Sequence, residues 1–138
     1  MSIDLYIEDE EGTPLGEVLD PDDLTGRIIA LAAHAGTACL RFIHPEGNTV
    51  FNQLQIPTLV RELKAAWAYV TEERLAALGE AELASARAAQ HGPSIIHAIK
   101  VQSERVQTAD VLAHLERVIA LAEEARGRPH TYLKFYGD

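Results

Sequence analysis

Only one cysteine, Cys39, stands in the 138 residues. It cannot close an internal disulfide, which fits a reducing, cytoplasmic setting. Long apolar runs are missing as well. None approaches the ~20 residues that span a bilayer, so no membrane partner is expected. The opening MSIDLYIEDEEG is acidic, where a signal peptide would be basic and then apolar. The six histidines include no H-x-x-x-H pair, and there is no C-x-x-C. The chain also lacks a G-x-S-x-G elbow, a phosphate-cradling glycine loop and a dinucleotide fingerprint. These absences assign no catalytic residue, no cofactor and no metal.

Positive charge is missing from one part of the chain. Residues 1–26 contain no Lys or Arg but hold Asp4, Glu8, Asp9, Glu10, Glu11, Glu17, Asp20, Asp22 and Asp23. The remaining twelve acids are balanced by twelve basic residues, so the whole formal charge of −9 belongs to this block. A phosphate backbone needs a positive surface, so nucleic acid is not expected as a partner. A basic protein is compatible with the block. Against this stands the plain reading of a solvated acidic edge.

At this length one domain with a real core is expected, burying roughly two thirds of the unfolded surface. The first strand is read from Ile3, Leu5 and Ile7 alternating with Asp4, Tyr6 and Glu8. A turn at 9–12 and a short strand at 15–19 complete a hairpin. Asp20-Pro21-Asp22-Asp23 starts a helix, with Asp20 as cap and Pro21 at the first position. Leu24, Ile28, Leu31 and Ala35 give its stripe, and Gly36 its stop.

The stretch 37–67 is read as the organising unit. Ala38, Leu40 and Phe42 alternate with Cys39, Arg41 and Ile43 as a strand. Residues 44–48 make a turn, Thr49-Val50-Phe51 a second strand, and Pro57 opens a helix. That helix carries Leu59, Val60, Leu63, Ala66, Trp67 and Val70, runs to about Leu78, and is interrupted by Gly79. Leu40, Phe42, Leu63 and Trp67 are expected in one core. Residues 80–90 read as a short helix. Residues 94–106 fit helix and strand alike, and their helical neighbours favour a helix. Thr108 is expected to cap a long helix bearing Val111, Leu112, Leu115, Val118, Ile119 and Ala122, which stops at Gly127 and Pro129. The chain closes in a strand with Leu133 and Phe135 on one side and Tyr132, Lys134 and Tyr136 on the other. The fold class is therefore α+β: a mainly antiparallel sheet of about five strands with helices packed on one face.

Few constellations carry chemistry. His44, Glu46 and His130 could converge in space, although isolated polar residues at strand ends account for them. Asp110 and His114, four apart, read as a surface pair on one helix. Cys39 reads as a buried, inert thiol. Tyr132, Lys134 and Tyr136 combine aromatic rings with a cation, which suits a recognition face.

Residues 42–55, with their F-I-x-P-x-G-N-T-V-F-N-x-L-Q pattern, and the closing Y-L-K-F-Y-G-D at 132–138 resemble small uncharacterised bacterial α+β proteins. Some proteins of that kind are immunity partners of toxins. The resemblance implies one α+β domain and a protein-binding role, and it carries across no catalytic residue. Three readings follow. The first is a cytoplasmic, non-enzymatic protein-binding domain, an immunity-type inhibitor of a basic toxin. Its contacts would be Glu8, Asp9, Glu10, Glu11, Glu17, Asp22, Asp23, Tyr132, Lys134 and Tyr136. The second is a small enzyme or ligand-binding protein whose site assembles only in the fold. The third is a structural homodimer.

Overall fold

The computed structural model describes residues 2–34 and 36–138. Alternating apolar residues make β1 (Ile3–Asp9), which turns into β2 (Pro14–Val18). Next come α1 (Leu24–Ala32), β3 (Asn48–Phe51), α2 (Ile56–Ala66), α3 (Glu72–Ala88), α4 (Pro93–Arg105), α5 (Thr108–Arg126) and β4 (Thr131–Gly137). The strands form one antiparallel sheet in the order β2-β1-β4-β3. The last strand of the chain is thus internal to the sheet, paired with β1 from Ile3↔Gly137 to Asp9↔Thr131.

The helices pack on this sheet. Ile3, Leu5, Ile7, Leu133 and Phe135 are buried against α5 and α1, and α2 lies alongside α5. Ile56, Leu59, Val60, Leu63 and Ala66 recur at helical spacing and seal α2 into that core. Each fully buried side chain of this size contributes roughly 1.5–3 kcal/mol relative to exposure. The α3–α4 pair stands further out. It packs mainly on itself and α1, and α4 has no buried residue.

The sheet has four strands where about five were expected, because residues 38–43 are not a strand. Leu40–Phe42 is a single 3-10 turn. Cys39, Leu40 and Ile43 are buried, while Phe42 is 61% exposed. The cause lies in α2. The Glu62 carboxylate accepts the backbone N–H of Ala38 (2.6 Å), Cys39 (2.9 Å) and Leu40 (2.9 Å), taking the donors a strand would give its neighbour.

Trp67 was expected in the core but is 46% exposed, because α2 ends at Ala66 and Trp67 opens a 3-10 turn. The helix therefore does not run on to Leu78. A new one begins at Glu72, its Thr71 hydroxyl accepting from the Arg74 N–H. Gly79 does not stop a helix either. It sits buried inside α3, where a Cβ would overlap the Ser103 hydroxyl of α4. The glycine permits close helix packing, not a break. Residues 94–105 are helical, as their neighbours suggested.

The helix starts at Leu24, not at Pro21, and its cap position is held by Asp23, not by Asp20 as expected; Asp20 nevertheless satisfies the first N–H groups from a distance. Its carboxylate accepts from Leu24 N (2.6 Å), Thr25 N (3.1 Å) and Ile3 N (3.2 Å), tying helix to sheet. Ala35, the last residue of the expected α1 stripe, lies outside the described residues. At α5 the cap is Gln107, not Thr108. Gln107 and Asp110 form a reciprocal capping box, and Thr108 is the first helical residue.

Candidate functional site

The face of the sheet away from the core carries Tyr6, Glu8, Glu17, Tyr132, Lys134 and Tyr136. Strand alternation puts them there, and the register brings Tyr6 opposite both Glu17 and Lys134. Tyr132, Lys134 and Tyr136, expected on one side of the last strand, all lie here and are half-buried. Val50 of β3 lies opposite Lys134 and is exposed. The Tyr6 and Tyr136 rings meet edge to face at 5.4 Å.

Glu8 is the hub of this face. Its side chain is almost buried; one oxygen lies 3.3 Å from Lys134 Nζ, and the other accepts the Tyr136 hydroxyl. That hydrogen bond holds the proton on Tyr136 and, with burial, pushes its pKa up to about 12. Burial also raises Tyr6, aided by the negative charges of Asp4, Glu17 and Glu8.

The acidic block, without a basic neighbour in sequence, acquires partners in space. Besides Glu8 with Lys134, Glu10 meets His130 at 3.3 Å and Asp22 meets Arg105 at 2.5 Å. Asp9 accepts the N–H groups of Glu11 and Thr13 and shapes the β1–β2 turn. Asp4 accepts from Asp20 N at 2.8 Å. Asp23 stands in left-handed backbone (φ 55) just before α1. Burial, reinforced by the negative Asp20, pushes its carboxyl up to about 6. Glu11 and Glu17 make no hydrogen bond or ion pair through their side chains among the described residues. Eight of the ten expected contact residues thus share the sheet face and its hairpin turn. Asp22 and Asp23 lie apart, at the start of α1.

Asp110 and His114 are not a surface pair. Asp110 is spent on the α5 cap, and His114 is fully buried. Its Nε2 lies 2.7 Å from Thr25 Oγ1 and 3.9 Å from Asp20 Oδ1, and its Nδ1 lies 3.4 Å from Arg117 Nη2. A guanidinium only donates, so Nδ1 accepts and carries no proton. The neutral ring then holds its proton on Nε2 and donates to Thr25. Burial lowers the His114 pKa, Asp20 opposes that, and Arg117 adds to it. Thr25 is 2% exposed, and a protonated Nε2 cannot serve as its base. The constellation locks α1 to α5 and does not form a nucleophile.

His44 and Glu46 do not join His130. The His44 ring accepts from the Glu46 N–H within its own turn, and His130 points to Glu10. Cys39 is buried, its thiol pushed up by burial and by Glu62. Among the described residues no helix is long and apolar enough to cross a membrane.

Two residues that matter here had no sequence signal. One is Glu62, which orders 38–40. The other is Gln53, whose amide donates to Ala125 O, Arg128 O and Thr131 and ties the end of β3 to the α5–β4 joint. No family model, curated protein or solved structure matches this chain.

Proposed function

We propose that this chain is a protein-binding domain whose recognition face is the open side of the sheet. The observation that carries the reading is the cluster of Tyr6, Tyr132 and Tyr136 around the Glu8–Lys134 pair, rimmed by Glu11 and Glu17. Tyrosines offer large contact area at little entropic cost, the Tyr136 hydroxyl is fixed by Glu8, and aromatics are enriched in interfaces. The occupant is a basic protein. Among the described residues Glu11 and Glu17 have no cationic partner, and the net charge of −9 would draw a positive partner toward the hairpin. A cytoplasmic, immunity-type role against a basic toxin is the specific form of this reading, and the resemblance of residues 42–55 and 132–138 supports it.

The test is a capture from source-cell lysate followed by kinetics on the partner found. Glu11→Gln/Glu17→Gln should slow association at low salt and leave dissociation nearly unchanged. Tyr132→Ser should speed dissociation instead. Glu8 stays intact in both variants, because removing it would strand Lys134. A partner that binds wild type and both variants alike at every salt concentration would refute the assignment of this face.

A further inference from the structure

The two edges of the sheet differ in character. β2 carries the devices that keep an edge from pairing: Pro14 at its start, a bulge where it meets Ile7 and Glu8, and the charge of Glu17. β3, at the other edge, has none of them. It reads Asn48-Thr49-Val50-Phe51 and lies within residues 47–60, the longest stretch of the chain without Asp, Glu, Lys or Arg. Thr, Val and Phe favour extended backbone. Among the described residues the two most exposed large apolar side chains, Phe42 and Leu54, flank this strand in sequence, and Val50 itself is 48% exposed.

The direction of the backbone groups follows from one contact. The Gly137 N–H donates to Gly47 O at 2.8 Å, and bonded and non-bonded pairs alternate along an antiparallel ladder. Thr49 and Phe51 therefore face β4 with their N–H and C=O, while Asn48 and Val50 turn theirs outward. Among the described residues neither of these two finds a partner for its N–H or its C=O. The ladder cannot extend past them. The Asn52 N–H is taken by Gln55 Oε1, its C=O by the N–H groups of Gln55 and Ile56, and the Glu46 N–H by His44 Nδ1.

We propose that β3 pairs with β3 of a second copy of this chain, antiparallel and about a two-fold axis. Asn48 would stand opposite Val50 of the second copy, and Val50 opposite its Asn48. Only this register uses all the outward groups, making four N–H to C=O bonds; a shift of two residues in either direction meets the spent backbone of Asn52 or Glu46. The charge distribution fits the same occupant. The acidic block lies toward the β2 edge, so joining copies at β3 makes a continuous sheet with the two β2 edges outermost. They would stand seven strand spacings apart, about 34 Å, beyond three Debye lengths at 0.1 M salt. Pairing at β2 would instead bring Glu17 close to Glu17 of the second copy. The axis stands perpendicular to the sheet, so the open faces of both copies stay uncovered on one side. So short a ladder makes a small interface, and the dimer should form in a concentration-dependent way.

The test measures the mass of the full chain by light scattering from ~10 μM to ~1 mM. It should rise from one chain towards two. Val50→Pro removes an outward N–H and leaves the bonds to β4 intact, so this variant should stay at the mass of one chain. Leu15→Ser, on the opposite edge, should dimerise like wild type. Amide exchange of the wild type locates the contact without any variant. Asn48 and Val50 should exchange at least about tenfold more slowly in the concentrated sample, while Thr49 and Phe51 are protected in both. The proposal is overturned by a single-chain mass at ~1 mM, by a dimer whose Asn48 and Val50 amides exchange as fast as in the dilute chain, by a folded Val50→Pro protein that dimerises like wild type, or by loss of the dimer in Leu15→Ser.

Discussion

Removing the Glu62 carboxylate tests the contact that decides the path of residues 38–43. It accepts three backbone N–H groups, those of Ala38, Cys39 and Leu40. The Ala38 bond is exposed, and water can replace it at a net cost of about 0.5 kcal/mol. The other two are partly buried and end on a charged acceptor, so each is worth about 1.5 kcal/mol. Glu62→Ala should therefore cost about 3–4 kcal/mol, a large share of the ~5–15 available to a domain. Glu62→Gln keeps one acceptor oxygen and should cost about half as much. Urea unfolding gives the stability, and hydrogen exchange of the three amides gives the location. Exchange at Cys39 and Leu40 should accelerate, while exchange in β1 and β4 should change only with global stability. A Glu62→Ala protein within about 0.5 kcal/mol of wild type, the range of an inert surface change, would refute the reasoning.

Deleting residues 131–138 removes the strand between β1 and β3 together with buried Leu133 and Phe135. Each of those costs about 2–5 kcal/mol when truncated, so no cooperative melting transition should remain by circular dichroism. At Gly137 a Cβ would overlap the backbone of Pro45 and His44, which has no flexible end to give way. Gly137→Ala should thus cost at least ~1–3 kcal/mol in urea unfolding, and an unchanged midpoint would refute the close approach. Asp23 titrates near 6 in the folded protein, above its ordinary 3.8. Its support is therefore complete below 3.8 and lost as pH rises through 6. Asp23→Asn, which also tolerates left-handed backbone, should raise the melting temperature at pH 7.5 relative to wild type and leave it nearly unchanged at pH 3.5.

What sequence made legible, and what it hid, divides by the distance over which each feature is decided. The β1–β2 hairpin, the α5 stripe, the α2 stripe as far as Ala66 and the two faces of β4 follow from side-chain periodicity and stand, whereas Trp67 and Val70 fall beyond the end of α2. The failures are decided far along the chain. Alternation at Ala38, Leu40 and Phe42 imitates a strand, yet Glu62, more than twenty residues on, takes the N–H groups. Only the spacing of Cys39, Leu40 and Ile43 hinted at a helical turn. Gly79 resembles a helix stop because its reason, Ser103, lies on the next helix. The candidate face shows the same limit. Tyr132, Lys134 and Tyr136 were recognisable as one side of a strand, but nothing local revealed that Lys134 and Tyr136 hold Glu8. Nor could it show that His130 and Arg105 answer Glu10 and Asp22 across 120 and 83 residues. This changes what the acidic block can do. Carboxylates already paired or hydrogen-bonded would have to give up those partners to contact another protein directly, so they favour a fixed surface over a new contact. Among the described residues Glu11 and Glu17 have no such partner to lose. Steering of a basic partner should therefore depend on those two residues, and the strength of the complex on the tyrosines around Glu8, of which Glu8 holds Tyr136 directly.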